Sequence, residues 1–188
     1  MKRNHQEMSI EIKKVSDYKE KNIGLFFKIV LKTFDVTSDN SRNYPNYYFW
    51  YIKNIVPGIF KGTRDIFVAY VNNNFAGITI LKREKQEKKL CTIFVLEEYR
   101  KMGVATLLIE ESFKYLGTTK PLLSIPDYEV NQFLSIIDKY DWKQTQILDQ
   151  GYYRKASQEI VFNGKILWFK SLCRYSTRLF SKNVSYKY

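Results

Sequence analysis

Histidine is almost missing from this 188-residue chain: the single one, His5, stands near the start. Cysteine is scarce too, since Cys91 and Cys173 lie far apart and in no metal-type spacing. A zinc site, a Cys-His nucleophile pair and a Ser-His-Asp triad each need a histidine in a structured cleft or several cysteines, so all three are disfavoured. Whatever chemistry occurs here must use other groups. Long apolar runs are lacking as well. Lysine interrupts each within a turn or two, as Lys28 and Lys32 do between Ile23 and Phe34, so none approaches the ~20 residues of a membrane span. Met1 to Glu11 has no apolar core and no small-residue cleavage site, which leads to the expectation of no secretory signal and a cytoplasmic location. Acidic residues are the minority, 19 against 31 basic, for a net charge of +12. That imbalance implies an anionic partner: a phosphate-bearing cofactor, nucleic acid or an acidic membrane.

What is present is ordinary for a folded chain. Hydrophobic residues make up 45% and charged ones 27%, and the length supports one hydrophobic core. Ser9 to Val15 alternates apolar and polar residues as a first strand does. A helix over Lys19 to Phe34 would place Ile23, Phe26, Phe27, Val30, Leu31 and Phe34 on one face. Asp35 to Asn43 is polar and reads as a loop. Tyr44 to Phe60 reads as a second, highly aromatic helix, with Pro45 at its start and Pro57-Gly58 ending it, able to line a cleft or fill a core. Asp65 to Val71 and Phe75 to Leu81, joined by Asn72-Asn73-Asn74, predict an antiparallel hairpin.

The run KREKQEKK, Lys82 to Lys89, reads as a solvated strand end and turn. Leu90 to Leu96 then predicts a strand, Met102 to Leu116 a helix and Pro121 to Ile125 a strand, a parallel βαβ unit whose strand-to-helix turn lies at the carboxyl edge of the sheet, where ligands bind. Asp127 to Tyr140 reads as helical, and Gln144 to Tyr153 with Gln158 to Phe162 as a closing pair of strands ended by Asn163-Gly164. The fold class is mixed α/β (α+β): a central mixed sheet with helices on both faces. Residues 1–164 form the domain, and 165–188 extend it as a basic amphipathic helix. In that helix Lys170, Arg174, Arg178 and Lys182 form one stripe opposite Trp168, Phe169 and Leu172.

The most informative segment is Ile93 to Thr106. A strand ends, an acidic turn follows, and Arg100-x-x-Gly103-x-Ala105 opens a helix. The first turn of a helix presents unpaired N–H groups and a positive dipole end. Gly103 lacks a Cβ and Ala105 has only a methyl, so a pyrophosphate can settle on the amides of Met102, Gly103, Val104, Ala105 and Thr106. Arg100 and Lys101 add charge and Thr106 a hydroxyl.

Here the chain resembles the GNAT superfamily of acetyl-CoA-dependent N-acetyltransferases, whose pattern of Arg or Gln-x-x-Gly-x-Gly or Ala appears as Tyr-Arg-Lys-Met-Gly-Val-Ala at Tyr99 to Ala105. The order of elements from about Ser9 to Gly164 is similar to the family's as well. The resemblance implies direct attack of an amine on acetyl-CoA in a ternary complex, with the backbone of Ile93, Phe94 and Val95 holding the pantetheine arm and Arg100 to Thr106 the pyrophosphate. No metal is implied. The family's usual tyrosine acid would fall at Ile137, so Tyr140, Tyr128, Tyr152 and Tyr153 are the substitutes nearby. Glu97 and Glu98 are candidate bases near the turn, and their bland reading is favourable contact with the helix dipole. The acceptor is a primary amine. An aminoacyl-tRNA amine, met by Lys170, Arg174, Arg178 and Lys182, is one alternative, and a noncatalytic acetyl-CoA-sensing or RNA- or partner-binding module is another. Tyr44 to Trp50 would help wall the acceptor cleft.

Overall fold

The computed structural model describes residues 8–38, 46–149 and 158–166. The C-terminal stripe Lys170, Arg174, Arg178 and Lys182 lies outside them, as do Tyr44, Tyr152 and Tyr153.

Two antiparallel sheets carry the fold. The first runs β1 (Ile10–Lys14), β2 (Arg64–Val71), β3 (Asn74–Arg83) and β4 (Lys88–Val95) in that spatial order. The second runs β5 (Leu123–Pro126), β7 (Gln158–Phe162) and β6 (Gln144–Asp149). A parallel bridge between Lys89 and Leu122 joins them, closed by Leu90 N–H to Leu122 O at 3.0 Å and Leu122 N–H to Lys88 O at 2.9 Å. The expected mixed sheet is therefore parallel only at this point. The β2–β3 hairpin turns on Asn72 and Asn73, both at positive φ (48° and 65°), a conformation asparagine tolerates.

Alternation along β2 explains why both faces are covered. Phe67, Ala69 and Val71 enter one core with Val104, Leu108, Ile109, Phe113 and Leu116 of the long helix that follows β4. Ile66 and Val68 enter a second core with the N-terminal helices.

Those N-terminal helices differ from expectation. Asn22, at φ −156° and ψ 85°, divides the predicted helix into α1 (Tyr18–Lys21) and α2 (Ile23–Thr37), and its side chain caps α2 by accepting from Leu25 N–H at 2.9 Å. The buried face of α2 is Phe26, Ile29, Val30, Thr33 and Thr37, leaving Ile23, Phe27 and Leu31 exposed. Hydrophobicity alone misplaces this face because two threonines are buried with partners supplied by another helix. The Thr33 hydroxyl lies 2.6 Å from the Tyr51 hydroxyl, and Tyr47 donates to Thr37 Oγ1 at 2.6 Å.

The partner helix is α3 (Tyr47–Trp50), a π-helical turn (Tyr51–Ile55) and α4 (Val56–Phe60) in unbroken succession. Pro57-Gly58 does not end it. Pro57 sits in the first turn of α4, where a missing N–H costs least, and the chain leaves the helix at Gly62, φ +72°. Tyr47 and Tyr51 are buried in the second core while Tyr48 and Phe49 face solvent, so this helix fills a core.

The crowding of β3 against β4 is tested at Gly77. A Cβ there would stand 2.6 Å from the Phe94 carbonyl oxygen and 3.2 Å from Val95 Cα, both backbone atoms. Gly77→Ala is expected to lower stability by about 1–3 kcal/mol, the usual cost of forced overpacking, read as a lower urea midpoint. An unchanged midpoint would mean that β4 shifts freely.

Candidate functional site

The site begins with an edge. One side of β4 pairs with β3 from Lys88↔Arg83 to Val95↔Gly77, whereas its other side is bridged only at Lys89–Leu122, the residue before β5. Beyond that bridge a narrow cavity of about 80 Å³ opens between Cys91, Thr92 and Ile93 of β4 and Ser124, Ile125 and Pro126 of β5. It adjoins a wider cleft of about 380 Å³ walled by Ile93, Phe94 and Val95 on one side, a volume in the range of small-molecule sites.

The opposite wall belongs to α6 (Val130–Lys139) and the 3-10 turn before it: Glu129, Gln132, Phe133 and Ile136. Ile93, Glu129 and Phe133 line both cavities. The mouth is formed by the turn after β4 and by the start of α5 (Val104–Leu116), which contribute Arg100 and Ala105. Arg100 folds back so that its Nε–H donates to the Val95 carbonyl at 3.2 Å.

The start of α5 has the backbone of an anion seat. Lys101 at φ 63° and Gly103 at φ 84° are both left-handed, and nothing lies within 4 Å of the place a Gly103 Cβ would occupy. No side chain caps the helix. The first-turn amides of Val104, Ala105 and Thr106 therefore keep the unpaired character of any helix start. A cation and a helix N-terminus thus converge on one end of the cleft.

A carboxylate lines both the cleft and the narrow cavity beside it. Glu129 is half-buried, and burial pushes its carboxyl above the usual range, with no neighbouring cation to offset it. It is the single carboxylate among the described residues lining either cavity.

The residues singled out from sequence divide clearly. Ile93, Phe94, Val95, Arg100 and Ala105 wall the cleft. Lys101, Met102 and Gly103 are exposed in the turn beside it, Thr106 is half-buried in the first helical turn, and Val104 points into the core. Glu97 and Glu98 are exposed on the 3-10 turn and line neither cavity. Tyr140 is not brought to the cleft: it lies one turn beyond Ile136, where its hydroxyl donates to Glu110 at 3.0 Å and its ring packs edge-on against Phe113. Ile137 is core, and Tyr128 is exposed beside Glu129. None of Tyr47, Tyr48, Phe49 and Trp50 lines either cavity.

Sequence reasoning missed Glu129, Gln132, Phe133 and Ile136. Their spacing, i, i+3, i+4 and i+7, is one helical stripe and was the available signal.

Known proteins with the same arrangement can now be set beside this geometry. The Acetyltransferase (GNAT) family model matches residues 29–120. That segment, just under half of the chain, is similar to the GNAT acetyltransferases. Arabidopsis thaliana NAA60, solved in complex with a bisubstrate analogue, is 16% identical with a TM-score of 0.58, the match covering 82% of this chain and 96% of that one. Arabidopsis thaliana Naa50, in complex with the bisubstrate analogue CoA-Ac-MVNAL, is 16% identical with a TM-score of 0.55 over 84% of this chain and 99% of that one. The likeness to both is one of fold. The chain spans 65% of the length of nourseothricin acetyltransferase, to which it is 16% identical with a TM-score of 0.47 over 54% of its own length. No curated protein matches the chain. Among the described residues no helix is long and apolar enough to cross a membrane.

The burial of Glu129 has a thermodynamic signature. Its folded pKa is raised, so the native state holds its proton more tightly than the unfolded state, and ionisation costs stability as pH rises past the ordinary carboxylate range. Glu129→Gln removes that cost. The variant is expected to be more stable than the wild type at pH 7, with the difference vanishing near pH 4, by urea midpoints at both values. A difference independent of pH would refute the desolvation argument.

Proposed function

We propose that this chain is an acetyl-CoA-dependent N-acetyltransferase acting on a primary amine by direct transfer in a ternary complex. The observation that carries the reading is that the unpaired β4 edge, the bare N-terminus of α5 and the Glu129 carboxyl open onto one connected cleft. A cosubstrate with an amide-bearing arm and a pyrophosphate matches those features in that order.

Each part has a physical task. The backbone of Ile93 to Val95 would accept the pantetheine amides as a neighbouring strand's, since an unpaired strand edge offers N–H and C=O groups in register. The amides of Gly103, Val104, Ala105 and Thr106 would take the pyrophosphate, assisted by Arg100 and Lys101. Holding both reactants in one cleft supplies the larger part of the acceleration, because attack by a neutral amine on a thioester mainly needs alignment.

The amine must first lose its proton. Glu129 replaces the sequence candidates Glu97 and Glu98 in this role, since it lines both cavities and they line neither. A carboxylate whose pKa is raised by burial is a better base near neutrality than an exposed one. That NAA60 and Naa50 were both solved with bisubstrate analogues supports simultaneous binding of donor and acceptor. Acetylation of aminoacyl-tRNA rests on the net charge and on a stripe outside the described residues, so nothing in the described geometry favours it.

Two measurements test the proposal. Gly103→Glu places a carboxylate at the anion seat in open space, so calorimetric titration should show acetyl-CoA binding lost while the urea midpoint falls only by the strain of a positive φ, about 1 kcal/mol; undiminished affinity would sink this placement. Glu129→Gln should lower kcat about 10²-fold or more at unchanged acetyl-CoA affinity. In the wild type the rate should rise with pH through the raised carboxyl pKa, and in the variant that rise should disappear.

A further inference from the structure

The two helices over the second core leave an apolar seam uncovered. On α2, Ile23, Phe27 and Leu31 recur every fourth residue and are 49%, 44% and 64% exposed. Alongside, Tyr48, Ile52 and Phe60 of the α3 to α4 helix are 56%, 45% and 49% exposed. The two rows lie on one surface. Buried Phe26 packs edge-on against both Phe27 and Phe60, at 5.1 and 5.3 Å, and Phe34, one turn beyond Leu31 on the same row, packs against Tyr48 at 5.8 Å. Contiguous apolar surface of this kind marks an interaction site in a soluble domain.

Its border is cationic. Exposed Lys28, Lys32 and Lys53 stand on the same helices, with exposed Lys21 at the end of α1 and Lys61 just past α4, and Glu20 and Asp35 are the acidic residues of α1 and α2. Asp35 is met by Lys32 at 3.8 Å and Glu20 by Lys19 at 4.0 Å. Lys53 stands 5.6 Å from the centre of the exposed Phe49 ring, so charge and aromatic surface are interleaved.

We propose that this seam rests on an anionic lipid surface. Charge selects that partner over the others available. A second copy of the chain, packed about a twofold axis, would bring lysine rim against lysine rim. Residues 165–188 carry six basic and no acidic residue, so docking them here would add cations to a cationic border. Nucleic acid would satisfy the lysines and leave six apolar side chains in water. A bilayer of anionic lipid accepts both: the apolar row enters the headgroup boundary while the lysines stay at the level of the phosphates.

The test is cosedimentation of the full chain with vesicles of phosphatidylcholine alone or mixed with phosphatidylserine. Binding is expected to the mixed vesicles, to weaken with salt and to be at least about tenfold tighter than to phosphatidylcholine alone. Leu31→Ser, at the most exposed position, and Phe27→Ser should each weaken binding several-fold, as should Lys28→Glu with Lys32→Glu, while urea midpoints show that these variants stay folded. Three results would overturn the proposal. One is no binding to the mixed vesicles. Another is wild-type binding by the seam variants with release on Lys170→Glu and Arg174→Glu, which would assign the contact to the terminal segment. The last is a dimer in analytical ultracentrifugation that Leu31→Ser dissociates.

Discussion

β4 is saturated on one edge and nearly bare on the other. Its pairing with β3 runs from Lys88 to Val95 with one irregularity at Cys91, and on its other side the bonding stops at Lys89–Leu122, just before β5. A longer parallel ladder would join the two sheets and leave no cavity between Cys91 to Ile93 and Ser124 to Pro126. Backbone hydrogen-bonding groups are obligatory, so an edge left open must be met by solvent, side chain or ligand. Arg100 meets one such group, the Val95 carbonyl.

Around that edge the cleft brings together unlike electrostatics. The uncapped helix N-terminus stands beside Arg100 and Lys101, and Glu129 is half-buried, its carboxyl pushed up by the loss of solvent. A cation beside Glu129 would instead lower its pKa. Gly103 and Lys101 reach the required turn through positive φ, and open space above Gly103 keeps the seat accessible.

Local pattern made much of the architecture legible. Alternation located the strands, Asn72-Asn73 the hairpin, and Arg100-x-x-Gly103-x-Ala105 the strand-to-helix turn, because each is set by neighbours in sequence. Where partners come from elsewhere in the chain, pattern misled. Thr33 is absent from the predicted apolar face and Thr37 falls in the predicted loop, yet both are buried against Tyr51 and Tyr47, which turns α2 and exposes Phe27 and Leu31. Tyr140, one of the nearby substitutes for the tyrosine acid, has its hydroxyl held by Glu110.

The sequence by itself determined the family turn, the order of elements and the cationic balance, since these depend on residue type and short spacing. Tertiary structure decided which carboxylate faces the cleft and which helical face meets water. Glu97, Glu98 and Glu129 are the same residue type in similar short turns. Of the three, only Glu129 lines the gap between β4 and β5 and is half-buried there, while Glu97 and Glu98 are exposed.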